Sequence, residues 1–238
     1  MKARIVSRDE WTKARVALLA KEKALTRQRD ALAAERRELP WVKVEKAYAF
    51  DGPRGRETLA QLFAGRSQLA VYHFMLGPDW PEGCPSCSML ADQWEGMRVH
   101  LEQRDTSFVA VSRAPLATID AFKRRMGWTF KWVSSHGGDF NADFQVSFKP
   151  EDVAKGRLFY NYETNSFPAE EAPGMSIFAL DSGSVYHTYS TYARGLDIFM
   201  NVYNVLDLTP KGRDEAGLRY GMEWVRHHDR YGAPAAAR

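Results

Sequence analysis

Apolar positions along the chain switch between helical and alternating periods, and the switches mark its elements. Ser7-Arg8-Asp9-Glu10 fits the S-x-x-E capping box. A helix rich in Ala, Arg, Lys and Glu is expected from there to about Glu38, with Pro40 stopping it. Leu18, Leu25, Leu32 and Leu39 recur every seven residues, but Lys21 and Gln28 occupy the partner heptad positions. The stripe is therefore too narrow for a good coiled coil. It suits either a helix lying on the domain or an arm packing on a second subunit, and a homodimer through this helix is one expectation. Trp41 to Phe50 reads as an extended lead-in, Asp51-Gly52-Pro53-Arg54-Gly55 as a turn, and Thr58 to Phe63 as a short helix ended by Gly65.

A buried strand is expected at Leu69-Ala70-Val71-Tyr72-His73-Phe74-Met75, followed by a Pro- and Gly-containing loop from Leu76 to Gly83. Leu90, Trp94, Met97 and Leu101 then fall at i, i+4, i+7 and i+11, one face of a helix. Ser107 to Val111 is a second apolar strand, and Leu116, Ile119, Phe122 and Met126 give a second helix its apolar face after Pro115. This β-α-β-α order implies a parallel pair with a right-handed crossover. Residues 127–172 are aromatic-rich and irregular, and read as an insertion covering one side of the sheet. Met175 to Leu180, a turn at Asp181-Ser182-Gly183-Ser184, and Val185 to Tyr189 read as a hairpin. His187 to Tyr192 alternates, so one face is expected to line a pocket and the other to meet solvent. Leu196, Phe199, Met200, Tyr203 and Leu206 mark a closing helix, and a polar tail follows. The expected organisation is an arm over 1–40, a main domain over 41–210 and a tail over 211–238.

Chemistry enters at Cys84-Pro85-Ser86-Cys87, which holds the only two cysteines of the 238 residues. The first lies where a strand hands over to a helix N-terminus, where unpaired N–H groups and the positive dipole end favour a thiolate. Such sites lower a cysteine pKa from about 8.5 to roughly 3.5–7.5. Cys84 is thus expected as the attacking thiol and Cys87 as the resolving one, with Pro85 and Ser86 tuning the pair. A structural zinc site wants four ligands, and no second pair is present, so histidines such as His73 and His136 would have to complete it. A haem attachment is rejected because Ser88, not His, follows the second cysteine. A structural disulfide over so short a loop gains little.

Composition narrows the setting. Hydrophobic residues make up 45% and aromatic residues 13%, enough for a packed α/β core, and the net charge is only +3 with bases and acids interspersed. No nucleic-acid partner is expected from that balance. Met1 to Trp11 lacks the apolar stretch of a signal peptide, and no window of about twenty apolar residues would span a bilayer. The expected setting is the reducing cytoplasm, away from membranes, where a dithiol is normally catalytic. Phosphate-loop and nucleophile-elbow motifs are missing.

The element order resembles the thioredoxin fold: a three-layer α/β sandwich with a central mixed sheet, here carrying a long N-terminal helix and an aromatic-rich insertion. In that fold a cis-proline precedes the third core strand and faces the dithiol, and Pro173 of Ala172-Pro173-Gly174 is the candidate. More specifically, Phe74-Met75-Leu76-Gly77-Pro78-Asp79-Trp80, Gly83-Cys84-Pro85-Ser86-Cys87-Ser88, Arg125-Met126-Gly127-Trp128, Trp132-Val133-Ser134-Ser135, Asp139-Phe140-Asn141-Ala142-Asp143-Phe144, the run His187 to Gly195 and Leu206 to Pro210 resemble the bacterial domain-of-unknown-function family numbered 899. That resemblance spans most of residues 7–231 and implies a thioredoxin-like fold without an established reaction.

The expected function is a thiol–disulfide oxidoreductase acting on a protein or small-molecule disulfide or thiol, with no cofactor and no resident metal. Asp79, as proton relay or turn cap, and Trp80, Trp132 and His136 are the expected cleft residues. A peroxidatic mechanism is disfavoured because Pro81, Glu82 and Gly83, rather than Thr or Ser, precede Cys84. The alternatives are a copper or zinc protein using the same cysteines, with His227-His228-Asp229 as further ligands or simply a solvated, partly packed tail, and a non-catalytic binding module.

Overall fold

The structure, a computed structural model, describes residues 3–232. The last six residues of the expected tail, 233–238, lie outside them. The chain divides into two compact units, Met1–Pro40 and Trp41–Arg238.

The first unit is helix α1, Arg8–Arg37. The capping box forms as expected: Glu10 N donates to Ser7 Oγ at 3.3 Å, and Ser7 N donates to Glu10 Oε2 at 3.1 Å. None of its residues is buried, and Leu18, Leu25 and Leu32 are all exposed.

The second unit begins with β1 (Val42–Lys43), the hairpin β2 (Ala49–Gly52) and β3 (Gly55–Thr58), and α2 (Leu59–Leu62). Next come β4 (Gln68–His73), α3 (Pro85–Ala91), α4 (Trp94–Glu102), β5 (Thr106–Ser112), α5 (Leu116–Arg125) and β6 (Trp132–Ser134). Then follow α6 (Phe140–Asp143), α7 (Pro150–Lys155) and a separate small hairpin, β7 (Leu158–Tyr160) with β8 (Glu163–Asn165). The chain ends through β9 (Gly174–Asp181), β10 (Ser184–Tyr192), a 3₁₀ segment at Ala193–Phe199 and α8 (Asn201–Leu206).

Eight strands form one sheet in the order β1-β10-β9-β4-β5-β6-β2-β3. β4, β5 and β6 run parallel, and β9 lies antiparallel to β4. A parallel pair joined by a helical crossover, with an antiparallel hairpin on the other side of its first strand, is the thioredoxin-like arrangement. The tight β9–β10 turn has φ of 48° at Ser182 and 77° at Gly183, the left-handed pair that two-residue hairpins require.

Alternation along β4 builds two cores. Ala70, Tyr72 and then Phe74 face α3, α4, α5 and Leu196, Met200 and Tyr203. Leu69 and Val71 face α2 and the rings of Phe140 and Phe144. Helices on both faces make the three layers. No helix among the described residues is long and apolar enough to cross a membrane.

Three expectations change. The single helix after the dithiol is two, α3 and α4, because the chain breaks at Asp92-Gln93: Asp92 Oδ1 accepts Trp128 Nε1 at 2.8 Å, and Asn201 N donates to Gln93 Oε1 at 2.7 Å. Region 127–172 is not wholly an insertion, since Trp132–Ser134 is the third parallel strand. In β10 the register slips between His187 and Tyr189. Thr188 is the extra residue, so the simple alternation from His187 to Tyr192 fails, and Ser190, Thr191 and Tyr192 are all buried.

Candidate active site

The apolar run of β4 continues through Phe74, Met75 and Leu76, all buried. Beyond the strand's end, Cys84 N donates to Met75 O at 3.0 Å, and Ala114 N to Leu76 O at 3.0 Å. Those two bonds tie the cysteine loop to the C-terminal edge of β4 and to the chain leaving β5. Gly83 packs so tightly that a Cβ there would lie 2.5 Å from Phe74 Cε1 and 2.6 Å from Phe122 Cε1. Only glycine lets the backbone pass between these rings.

Cys84 is the N-cap of α3 and Pro85 its first residue. Proline suits a position whose N–H has no helical partner. Ser88 N and Ser88 Oγ each donate to Cys84 O at 2.9 Å, fixing the first turn. The two thiols are unequal. Hydrogen bonding from Cys87 outweighs burial at Cys84, and the Cys87 and Ser86 N–H groups and the Ser86 hydroxyl add to it, lowering the Cys84 pKa to about 7. Burial, joined by its partnership with Cys84, pushes the Cys87 thiol well up. Cys87 is 3% exposed, whereas Cys84 is partly accessible.

Tyr72, on the dithiol face of β4 and 1% exposed, lies within hydrogen-bonding reach of Cys87. Its own pKa is raised well above the usual value, first by burial and then by the two cysteines. Tyr160 is also within electrostatic reach of Cys87. Its hydroxyl donates to Pro173 O at 2.8 Å and accepts from Ala193 N at 2.9 Å. Pro173 immediately precedes β9, but its peptide bond is trans, not the cis form that the resemblance to the thioredoxin fold implies.

A clasp from the far end of the chain closes over the loop. His227 is 1% exposed, and its Nε2 lies 2.8 Å from Gly83 O. Arg125 Nη2 lies 3.2 Å from His227 Nδ1, so the ring donates through Nε2. Arg125 and Arg230 each hold Glu82 at 2.7 Å. Partial burial opposes ionisation of Glu82, but these bonds win and keep its pKa low. His228 Nδ1 reaches Asp92 Oδ1 at 2.7 Å. The triplet His227-His228-Asp229 is a partly packed tail, with His227 buried and His228 and Asp229 exposed, and its members bond Gly83, Asp92 and Arg125 in turn. Among the described residues no three His, Cys, Asp or Glu side chains group to hold a metal ion.

The four expected cleft residues separate. Asp79 and Trp80 line an open groove of about 640 Å³ between the loop and α5, shared with Thr118, Phe122 and Arg125. Trp132 is fully buried, donates through Nε1 to Ser112 Oγ at 3.0 Å, packs at a tilt on Phe74 and stacks with Phe130 as core. His136 is exposed, with Nδ1 3.1 Å from Arg113 O. Tyr72 and Tyr160 lie near the dithiol without having been singled out in the sequence, and His227, there a candidate ligand, instead bonds the carbonyl before Cys84. Tyr72 alone carried a local signal, a polar-tipped side chain in the apolar run leading to the cysteines.

Solved structures similar to this chain include a peroxidoxin, BcpB, from Mycobacterium tuberculosis, at 12% identity over 70% of this chain and 97% of that one, with a TM-score of 0.47. Peroxiredoxin Q of Xanthomonas campestris matches at 14% identity over 68% and 96%, with a TM-score of 0.41. A secreted Mycobacterium tuberculosis disulfide oxidoreductase, described as homologous to E. coli DsbE, matches at 15% identity over 65% and 92%, with a TM-score of 0.38. No curated protein matches the chain. A family model described as bacterial protein of unknown function, DUF899, matches residues 1–231, and the chain belongs to that family.

Proposed function

We propose that the protein is a thiol–disulfide oxidoreductase working through Cys84 and Cys87 on a protein or small-molecule disulfide. The observation that carries this is the inequality of the two thiols: a partly accessible sulfur surrounded by donors at the start of α3, and beside it a buried one held protonated. Cys84 thiolate attacks one sulfur of the substrate disulfide, and the other sulfur leaves as a thiolate that takes a proton. Cys87 then loses its proton and attacks Cys84. The substrate's second sulfur departs with its electron pair, and a Cys84–Cys87 disulfide remains. The substrate gains two electrons, and an external thiol must restore the dithiol. Tyr72 donates to Cys87 as that sulfur becomes the nucleophile. Pro85 and Ser86 set how many donors reach Cys84, and Pro173 acts on the pair through Tyr160, which bonds its carbonyl and lies within electrostatic reach of Cys87. Asp79 and Trp80 form the wall a substrate meets along the groove.

The reaction belongs in the reducing cytoplasm, where the regenerating thiol is at hand. A homodimer through the exposed leucines of α1 is the assembly we favour, and light scattering on Leu25→Glu tests it. The decisive experiment is the reduction potential of the pair on metal-free protein, with metal analysis of the protein as purified. A reversible two-electron couple without stoichiometric metal is expected. Failure to form the disulfide, together with bound copper or zinc, would overturn the proposal.

A further inference from the structure

A second cavity lies at the opposite end of the parallel strands. It encloses about 310 Å³ among the start of β5, the segment entering β6, and helices α4 and α5. Five basic side chains line it, Arg54, Arg66, Arg98, Lys123 and Lys131, against two acidic ones, Glu57 and Glu102. The positive excess of three equals that of the whole chain, concentrated in one small hollow.

Pairing inside the hollow is incomplete. Lys131 Nζ meets Glu57 Oε1 at 2.6 Å. Glu102 is divided between Arg98 at 3.0 Å and Arg66 at 3.5 Å, and Arg66 also donates to Ser107 Oγ at 3.3 Å. Arg98 Nε is buried with no partner. Among the described residues no ion pair involves Lys123. Burial pulls its pKa down, and the Asp120 and Glu95 carboxylates offset this only in part. Like charges gathered in a partly desolvated space repel one another, and a bound anion relieves that repulsion. Arginine forks and lysine point charges converging from α4, α5 and the neighbouring loops suit a compact, multiply charged oxyanion. The volume is far too small for a nucleic-acid strand to enter.

We propose that this cavity is a binding site for a small phosphate-bearing anion, with the Arg98 Nε–H and the Lys123 ammonium supplying donors that the carboxylates of the chain leave unpaired. Because the dithiol lies beyond the C-terminal end of β4 and the cavity at the N-terminal start of β5, the site is independent of the redox chemistry.

The test is calorimetric titration with inorganic phosphate and with pyrophosphate at fixed ionic strength, with sodium chloride as control. Saturable one-to-one binding is expected, tighter for pyrophosphate. Lys123→Gln and Arg98→Gln should each weaken it at least tenfold. Without anion, Lys123→Gln should keep or raise the melting temperature, since it removes an uncompensated charge. If Arg98→Gln fails to fold because Glu102 loses a partner, Lys123→Glu replaces it and should abolish binding. The Cys84→Ser, Cys87→Ser double variant should bind like the parent. Heats that never saturate, heats that sodium chloride reproduces, affinity unchanged in Lys123→Gln, or affinity lost in the double cysteine variant would each overturn the proposal.

Discussion

Two neighbours on one strand, Tyr72 and His73, carry buried polar groups to opposite faces of the sheet. Tyr72 reaches a sulfur that can exchange electrons. His73 joins a closed chain: its Nε2 lies 2.8 Å from Ser176 Oγ, which lies 2.8 Å from Ser190 Oγ, which lies 2.7 Å from His187 Nε2. His187 also donates to the Tyr189 backbone. Its Nε2 is then the acceptor of the Ser190 hydroxyl proton, and the donors run back along the chain to His73 Nε2–H. That assignment leaves His73 Nδ1 as a bare acceptor, which indeed has no partner, facing Phe140 and Phe144 at ring separations of 5.6 and 5.9 Å. Both faces bury a titratable group, but only one borders a loop that a substrate can approach. On the proposed function, the difference separates a polar group placed for reaction from one that must stay neutral for the fold to hold.

The largest effect should come from Cys84→Ser, which on the proposed function removes the attacking sulfur. Disulfide reduction should fall to background, while urea unfolding places the variant within about 1 kcal/mol of the parent, as for a near-isosteric change. A comparable loss of stability would mean that the thiol is structural.

Acid should act through the other face. Burial, with His187 adding, lowers the His73 pKa to about 3. The unfolded chain therefore binds a proton near pH 6.5 that the native protein refuses. The sign follows: this contribution to stability is complete above about pH 6.5 and is lost as pH falls toward 3, amounting to roughly 5 kcal/mol at most. Urea titrations at several pH values measure it, and Cys84→Ser should trace the same curve. In His73→Phe that part of the acid slope should disappear; if the slope stays, the buried chain is not its source.

Tyr72→Phe removes one hydroxyl and little volume. Losing a hydrogen bond to a charged sulfur costs about 1.5–3 kcal/mol. The resolving step should slow by roughly tenfold or more, with the mixed disulfide accumulating in single-turnover mass spectrometry. Alkylation of Cys84 should keep its rate. Slowing of both steps alike would assign Tyr72 to packing instead.

The sequence disclosed whatever rests on local pattern. The change of period at Cys84 located the dithiol at a helix start, Ser182-Gly183 marked the hairpin turn, and the capping box opened α1. It was silent where distant contacts decide. The break between α3 and α4 depends on Asp92 meeting Trp128 and His228, the latter 136 residues away. The bulge at Thr188, which lets His187 and Ser190 meet despite lying three residues apart, interrupts an alternation that looked regular. Trp132 looked like a cleft residue because an aromatic side chain in an irregular stretch gives no sign of the strand it belongs to.

The clasp offers the finest adjustment of the dithiol face. His227 donates to the carbonyl of the residue before Cys84, from 144 positions along the chain. His227→Leu keeps most of the volume but leaves Gly83 O buried without its donor, which should cost about 1 kcal/mol of stability. The loop would then be held by Cys84 N on Met75 O and by the rings of Phe74 and Phe122. Cys84 should therefore react with iodoacetamide at a rate changed by less than about threefold, which corresponds to under 1 kcal/mol. His227→Gln retains an N–H that can reach the same carbonyl, and it should restore most of the lost stability. If neither variant differs from the parent in urea unfolding, the bond to Gly83 contributes nothing and the loop is held by its own residues. If His227→Leu instead raises the Cys84 pKa by a full unit, the clasp sets the reactivity of the thiol as well as the place of its loop.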